Sequence, residues 1–236
     1  MCIRDRVMIC GAQGTKINTT RMNYRGDLPI PAVVDPVAQS AQPHVPTSIG
    51  VVGGEAAASM ILELESEATE RGARPAARVL SSASRFSPSL GMKRPRRVCQ
   101  TDAAAMRGSS HAIRQAIDAA LTEASLSPQS IGLIISHGMG DPVMDLAERE
   151  ALCGPLSEVP MTAPIASLGH TGAASGQLGV VVGAMALANK MIPPTLNAAA
   201  AEAPLLSEPK PLSADHVLCL AHNSEGNATA IVLEAI

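Results

Sequence analysis

One phenylalanine, one tyrosine and no tryptophan in 236 residues constrain this chain more than any motif it carries. Aromatic side chains bury roughly 150–250 Å² each and anchor most globular cores. The chain is nevertheless 46% hydrophobic, so its apolar surface comes from Ala, Val, Leu, Ile and Met. It must bury close-packed aliphatic layers, or else it is not a whole domain. The length suits one or two domains. With 17% charged residues and a mean hydropathy of +0.18, disorder is not expected.

The net charge of −3 and pI near 6.1 give no electrostatic case for nucleic acid, and almost no rings are available to stack bases. The uncharged stretch 171–189 is broken by Gly, Ser and Gln. It falls short of the roughly 20 mostly apolar residues that span a bilayer, so no membrane partner is expected. The five cysteines, at 2, 10, 99, 153 and 219, form no C-x-x-C pair. An odd number without that spacing points to a reducing compartment. No secretory leader pattern opens the chain, which reads as cytoplasmic.

Residues 1–6 run into the apolar 7–11 without turn, cap or linker. They read as a non-native remnant, and 7–11 as a buried strand that has lost what precedes it. Residues 13–48, poor in periodicity and rich in turn formers, read as a long surface excursion. A strand over 57–63 leads to a charged helix over 64–71 that stops at Gly72. A strand follows at 78–81. Residues 86–105 read as irregular and hold the basic cluster Lys93, Arg94, Arg96 and Arg97, a solvated loop face. The clearest amphipathic helix spans 109–124, with Ile113, Ile117 and Leu121 on one face. The run 131–136 predicts a fully buried strand. A helix over 145–152, an extended piece at 159–163, a small-residue helix from His170 to about Lys190, and strands at 216–221 and 228–233 complete the chain. Alternating strands and helices predict α/β layers.

Functional groups in such sheets gather beyond the carboxyl ends of strands. His137 is predicted there, followed by Gly138 and Gly140, where backbone can approach a ligand. His170, flanked by Gly169 and Gly172, is predicted to open a helix, whose N-terminus disfavours a protonated imidazole. Two such histidines suit proton transfer or hydrogen-bond donation to a developing oxyanion. From spacing alone, satisfied loop histidines account for them equally well. His222, at a strand end, is a weaker candidate. A metal site of His137, Asp141, Asp145 and His170 lacks any compact ligand spacing, so no metal is expected. There is no G-x-S-x-G, P-loop or G-x-G-x-x-G to signal hydrolase or nucleotide chemistry.

Four segments in order resemble the C-terminal part of the β-ketoacyl-acyl carrier protein synthases, condensing enzymes with a thiolase fold. The run 7–13 (VMICGAQ) is similar to the strand after the family's nucleophile helix. Residues 54–63 (GEAAASMILE), continued by Glu70 to Ala73, resemble its G-[DE]-G-A-G…LVLE segment. Residues 131–148, with His137-Gly138, Pro142, Asp145 and Glu148, are similar to H-G-T-x-T-P…D-x-x-E. Residues 168–176 (LGHTGAASG) with 192–197 (IPPTLN) resemble the second histidine motif and its P-P-T-x-N sequel. The resemblance covers nearly the whole chain. It implies a layered αβαβα thiolase-like fold whose N-terminal portion is missing, with 7–63 ending the N-terminal half and 64–236 forming the C-terminal half.

The resemblance also implies function. In the family a cysteine takes the acyl group as a thioester, and two histidines help decarboxylate malonyl-carrier protein and stabilise its enolate. Claisen attack then gives the 3-oxoacyl product in fatty acid or polyketide biosynthesis. Those histidine roles fall on His137 and His170, with Gly138, Gly169 and Asn227 as substrate-binding positions. Acyl carrier protein and a second ketosynthase-like subunit, in a homodimer or heterodimer, are the implied partners, and no cofactor is implied.

The departures from the family pattern are equally specific. The nucleophilic cysteine lies upstream of the first matched strand, and Cys10, inside that strand, does not take its role. The lysine expected five residues before the second histidine is Ile165, and the glutamate expected nine after it is Gly179. Those two are charge partners, so losing both avoids leaving one buried and unpaired. Met139 and Asp141 replace the threonines of the first motif, and AHNSEG (221–226) replaces a Gly-Phe-Gly-Gly loop. Three readings remain: a divergent condensing acyltransferase, inactive as this chain alone; a non-catalytic partner subunit like the chain-length factors; or a thiolase-fold relative doing another acyl transfer.

Overall fold

In the computed structural model, residues 6–13, 41–48, 50–88 and 108–236 are described. The basic cluster at 93–97, Tyr24, Cys2 and Cys99 lie outside them. The main sheet has five strands in the order β3-β9-β8-β4-β5. These are β3 (Arg78–Phe86), β4 (Ile131–Ile135), β5 (Met161–Thr162), β8 (His216–His222) and β9 (Asn227–Glu234). β4 pairs in parallel with β5 and β8, and β9 runs antiparallel to β8 and β3.

Both faces of this sheet are buried, which explains why its central strands read as unbroken apolar runs. On one face Ile134, Leu218, Leu220, Ala230 and Val232 meet helix α2 (Ser110–Glu123). Ala112, Ala116 and Ala120 let α2 lie close, and Ile113 and Ile117 fill the space between. Ser109 caps α2, its hydroxyl accepting from the amide of Ala112 at 3.1 Å. On the other face Leu133, Ile135, Val217, Cys219 and Leu233 meet helix α5 (Ser175–Asn189). A Cβ on Gly183 would stand 2.8 Å from Cys219 Sγ, so that helix needs glycine to sit on the sheet.

Beyond α5 lies a two-stranded antiparallel sheet of β1 (Arg6–Gln13) and β2 (Ala56–Glu63). Gln177 Nε2 of α5 donates to the Ile9 carbonyl at 2.6 Å. The layers therefore stack as helix, sheet, helix, sheet, the thiolase-like order expected. Gly172–Asn189 is long and apolar enough by composition to cross a membrane; here it is the helix packed between the two sheets. The core is indeed aliphatic, and Phe86 is 58% exposed.

The elements differ from the sequence reading in informative places. β3 runs to Phe86 rather than ending at 81, because it pairs along β9 with a register shift between Val79 and Ser81. The helix predicted at 145–152 begins at Pro142 as α3 (Pro142–Leu152), capped by Asp141, whose Oδ1 accepts from the Val143 amide at 3.0 Å. His170 does not open a helix: a 3₁₀ turn (Gly172–Ala174) intervenes before α5. Three short pieces went unread: α4 (Ile165–Leu168) and the two-residue strands β6 (Met191–Ile192) and β7 (Lys210–Pro211). Remaining is α1 (Glu65–Glu70), which ends before Gly72. Most of the excursion predicted to lie at the surface falls outside the described residues; in its described end, 41–48, Ala41, His44 and Val45 are buried rather than at the surface.

Candidate functional site

His137 follows β4 by two residues and His222 ends β8, so two parallel neighbours deliver both imidazoles to the carboxyl edge of the sheet. His170 arrives from the loop between α4 and the 3₁₀ turn. Its amide donates to the Val52 carbonyl at 2.7 Å, and its carbonyl accepts from the Gly54 amide at 3.0 Å. A Cβ on Gly54 would fall 1.8 Å from the Leu168 carbonyl oxygen. Glycine is therefore what allows 52–54 to clamp the loop that carries His170.

The His137 and His170 rings meet edge to face at 5.7 Å, and those of His137 and His222 lie 5.0 Å apart at 59°. All three line a cavity of about 440 Å³, with Asn227 on its wall. Of the other expected substrate-binding positions, Gly138 has φ +28°, and its amide donates to Glu148 Oε2 at 3.2 Å. Gly169, at φ +71°, lies against the backbone of Gly53 and Gly54. Both lie beside the cavity, where they shape the backbone that carries His137 and His170.

Behind the imidazoles is a buried carboxylate pair. Asp145 and Glu148 stand three residues apart on α3, hence on one face, and both are fully buried. Asp145 accepts from the amides of Met139 and Gly140 at 2.9 and 3.0 Å and from the His44 amide at 2.7 Å. Glu148 Oε2 accepts from His222 Nε2 at 2.9 Å, and its Oε1 lies 3.9 Å from His44 Nε2. His44 Nε2 also bonds Ser136 Oγ at 2.7 Å. Sequence reasoning missed His44, which sits in a Pro-containing segment without periodicity. The D-x-x-E spacing was the available signal for the carboxylates.

Burial sets the charges. It pushes His137 well below its ordinary value, aided by the repulsion His222 and His170 exert when protonated and opposed by Glu148. Burial and then the His222 charge lower His170 to about 4. The low value comes from these causes, not from the helix terminus first expected. Burial raises Glu148, yet its bond from His222, the charges of His44 and His222, and Ser136 outweigh that and hold the carboxyl well below its usual range. Asp145 is raised, because burial exceeds what His44 returns. His137 and His170 are thus neutral near pH 7, ready to donate hydrogen bonds to a developing oxyanion. His137 Nε2 is buried and has no hydrogen-bond partner among the described residues.

The opposite flank holds no charge. Ile165 and Gly179, where the family pattern has its lysine and glutamate, line one void of about 10 Å³ beside Ser136 and His137. It is large enough for a single water at most. Among the described residues no cluster of three or more His, Cys, Asp or Glu could hold a metal ion. Cys10 is exposed in β1, and burial pushes the Cys219 thiol up, away from the reactive thiolate.

Residues 98–199 match the family described as "Beta-ketoacyl synthase, C-terminal domain". The chain is 33% identical over 195 residues to 3-oxoacyl-[acyl-carrier-protein] synthase 2 of Mycobacterium leprae, covering 80% of this chain and 43% of that protein. It is 30% identical over 193 residues to the tetracenomycin polyketide synthase ketoacyl synthase beta subunit of Streptomyces glaucescens, covering 78% and 43%. The chain spans less than half the length of these curated relatives. Its fold superposes on the ishigamide ketosynthase/chain length factor with a TM-score of 0.79, at 22% identity over 98% of this chain and 54% of that one. The matched domain, the ordered motifs and the layered fold agree: residues 98–199 match the beta-ketoacyl synthase C-terminal domain, and along most of its length the chain is similar to the C-terminal part of beta-ketoacyl synthases.

Proposed function

We propose that the protein to which this chain belongs is an acyltransferase of the 3-oxoacyl synthase type. It joins a malonyl-carrier protein to an acyl thioester by decarboxylative Claisen condensation. One observation carries the reading: His137 and His170, both neutral, meet at 5.7 Å on the wall of one cavity. The bond between Cα and the malonyl carboxylate breaks, CO₂ leaves, and the electron pair passes to the thioester oxygen as an enolate. A neutral imidazole donating from His137 Nε2 would stabilise that oxyanion, with His170 beside it. The enolate carbon then attacks the acyl thioester and expels its thiolate.

Thioester loading needs a nucleophile, and the family resemblance puts that cysteine upstream of Val7. The chain alone is therefore expected to take no acyl group from acyl-carrier protein, with no added mass in an intact-mass measurement. In the protein carrying the upstream cysteine, His137→Ala should reduce CO₂ release from malonyl-carrier protein at least a hundredfold while the thermal unfolding midpoint holds. Undiminished decarboxylation would remove His137 from the mechanism. The carrier protein and a second ketosynthase-like subunit are the partners of this reading, and the cytoplasm is its compartment.

A second reading rests on Ile165 and Gly179. Without the charge pair the family pattern has there, the chain would serve as the non-catalytic partner of a ketosynthase, as a chain-length factor does. Reading the coding DNA upstream of Val7 separates the two: cysteine in a small-residue strand-to-helix turn for the enzyme, another residue for the partner.

A further inference from the structure

Two neighbouring pieces of chain, 42–48 and 50–54, hold both histidines of the site. The second clamps His170 through Val52 and Gly54. The first carries His44, which is fully buried and does not line the cavity. The His44 ring reaches Ser136, the residue before His137, with Nε2 2.7 Å from the hydroxyl oxygen, and its amide donates to Asp145 Oδ2 at 2.7 Å. Asp145 in turn accepts from the amides of Met139 and Gly140, and the Ser48 hydroxyl donates to the Gly140 carbonyl at 2.6 Å. The loop 136–140 is therefore tied down both before and after His137.

Two observations set His44 apart from a residue that only fills space. It sits at φ +58°, a left-handed conformation that residues with a Cβ seldom adopt, held by its amide on Asp145 and by its carbonyl, which accepts from the Glu202 amide at 2.9 Å. Strain of this kind persists where the surroundings over-determine it, and it gathers at functional sites. The fit to the loop is also close. A Cβ on Gly138 would stand 3.2 Å from His44 Nε2 and 3.0 Å from Pro43 Cβ, so the two segments meet without slack at the residue that follows His137.

We propose that His44 is a positioning residue for the condensation: its ring on Ser136, anchored by its amide on Asp145, fixes the loop 136–140 so that the His137 ring meets His170 on the cavity wall. The two rings arrive from separate elements, and the pieces 42–48 and 50–54 are tied to both. Releasing the His44 ring frees one of the two without touching the other. A displacement of about 1 Å at a reacting group can cost about a hundredfold in rate. The positioning of the ring pair stands on the geometry; its consequence for rate rests on the ketosynthase reading.

The test compares His44→Leu, which keeps similar volume and loses the polar ring, with His44→Gln, whose side-chain amide reaches where Nε2 was and can bond Ser136. In the 236-residue chain, proton cross-relaxation between the His137 and His170 rings, assigned through His137→Asn and His170→Asn, reports the ring pair. The cross-peak should be present in the native chain, lost in His44→Leu and kept in His44→Gln. An unchanged cross-peak in His44→Leu overturns the proposal, as does equal loss in both variants, which a packing role alone would give. Should His44→Leu fail to fold, Ser136→Ala deletes the same bond from the loop side, and a retained cross-peak there overturns it. No cross-peak in the native chain overturns it directly. In the protein carrying the upstream cysteine, kcat for CO₂ release should fall about tenfold or more in His44→Leu with KM for malonyl-carrier protein unchanged, and recover in His44→Gln. A raised KM with kcat intact overturns the positioning role. The ring-pair spectrum needs no turnover, so a native protein that releases no CO₂ refutes the ketosynthase reading and leaves the ring pair to be decided by the spectrum.

Discussion

The two walls of this site were built by opposite solutions to the same problem. On one, Ile165 and Gly179 leave a near-empty void with no charge to compensate. On the other, Glu148, Asp145, His44 and His222 form a buried polar network tied together by hydrogen bonds and to nearby amides. A buried ion pair can be replaced by apolar groups at little cost when both partners go together, whereas removing one partner strands the other. The apolar wall shows the first outcome, and the polar wall is where the second can be provoked.

The largest effect is expected there. Glu148→Ala removes the partner of His222 and of the Gly138 amide and leaves a buried imidazole uncompensated, so stability should fall by about 3–5 kcal/mol. Denaturant unfolding of the chain measures it. A loss below about 1 kcal/mol would mean that the two walls do not differ energetically.

The next effect is a pH dependence. The folded pKa of His170, about 4, lies below its ordinary 6.5, so the unfolded chain binds the proton more readily between those values. Stability is then greatest above pH 6.5, falls as pH drops toward 4, and levels off below. One unit is worth about 1.4 kcal/mol, which makes the His170 share on the order of 3 kcal/mol. Asp145, raised in the fold, works in the opposite direction, so the His170 share is read as the difference between the native chain and His170→Asn across pH 4 to 7. Parallel curves would show that burial does not hold His170 neutral.

The smallest effect sharpens the apolar wall. Ile165→Lys alone buries an unpaired charge, and Gly179→Glu alone does the same with the opposite sign. If the two positions still face each other as charge partners, the double variant should recover about 1–3 kcal/mol relative to the sum of the singles. A double-mutant cycle of unfolding free energies reads this directly; strict additivity would separate the two positions.

Much of this was legible in the chain. Apolar runs marked β4, β8 and β9, the i, i+4 spacing of Ile113, Ile117 and Leu121 marked α2, and the ordered motifs brought out His137 and His170. Lost were features that depend on distant partners. β3 extends to Phe86 because β9 offers edge to pair with, and His44 has meaning only where residues 41–48 fold against α3. His222 looked like one histidine in a loop because Glu148, which holds it, is 74 residues away.

The sequence by itself determined an aliphatic, layered α/β core, since a chain with almost no rings must pack Ala, Val, Leu and Ile at short range, and local periodicity is written in neighbouring residues. Only the tertiary structure decided which imidazoles share a cavity and which are neutral. Burial and Coulomb interactions depend on distances across space, and no spacing along the chain encodes them.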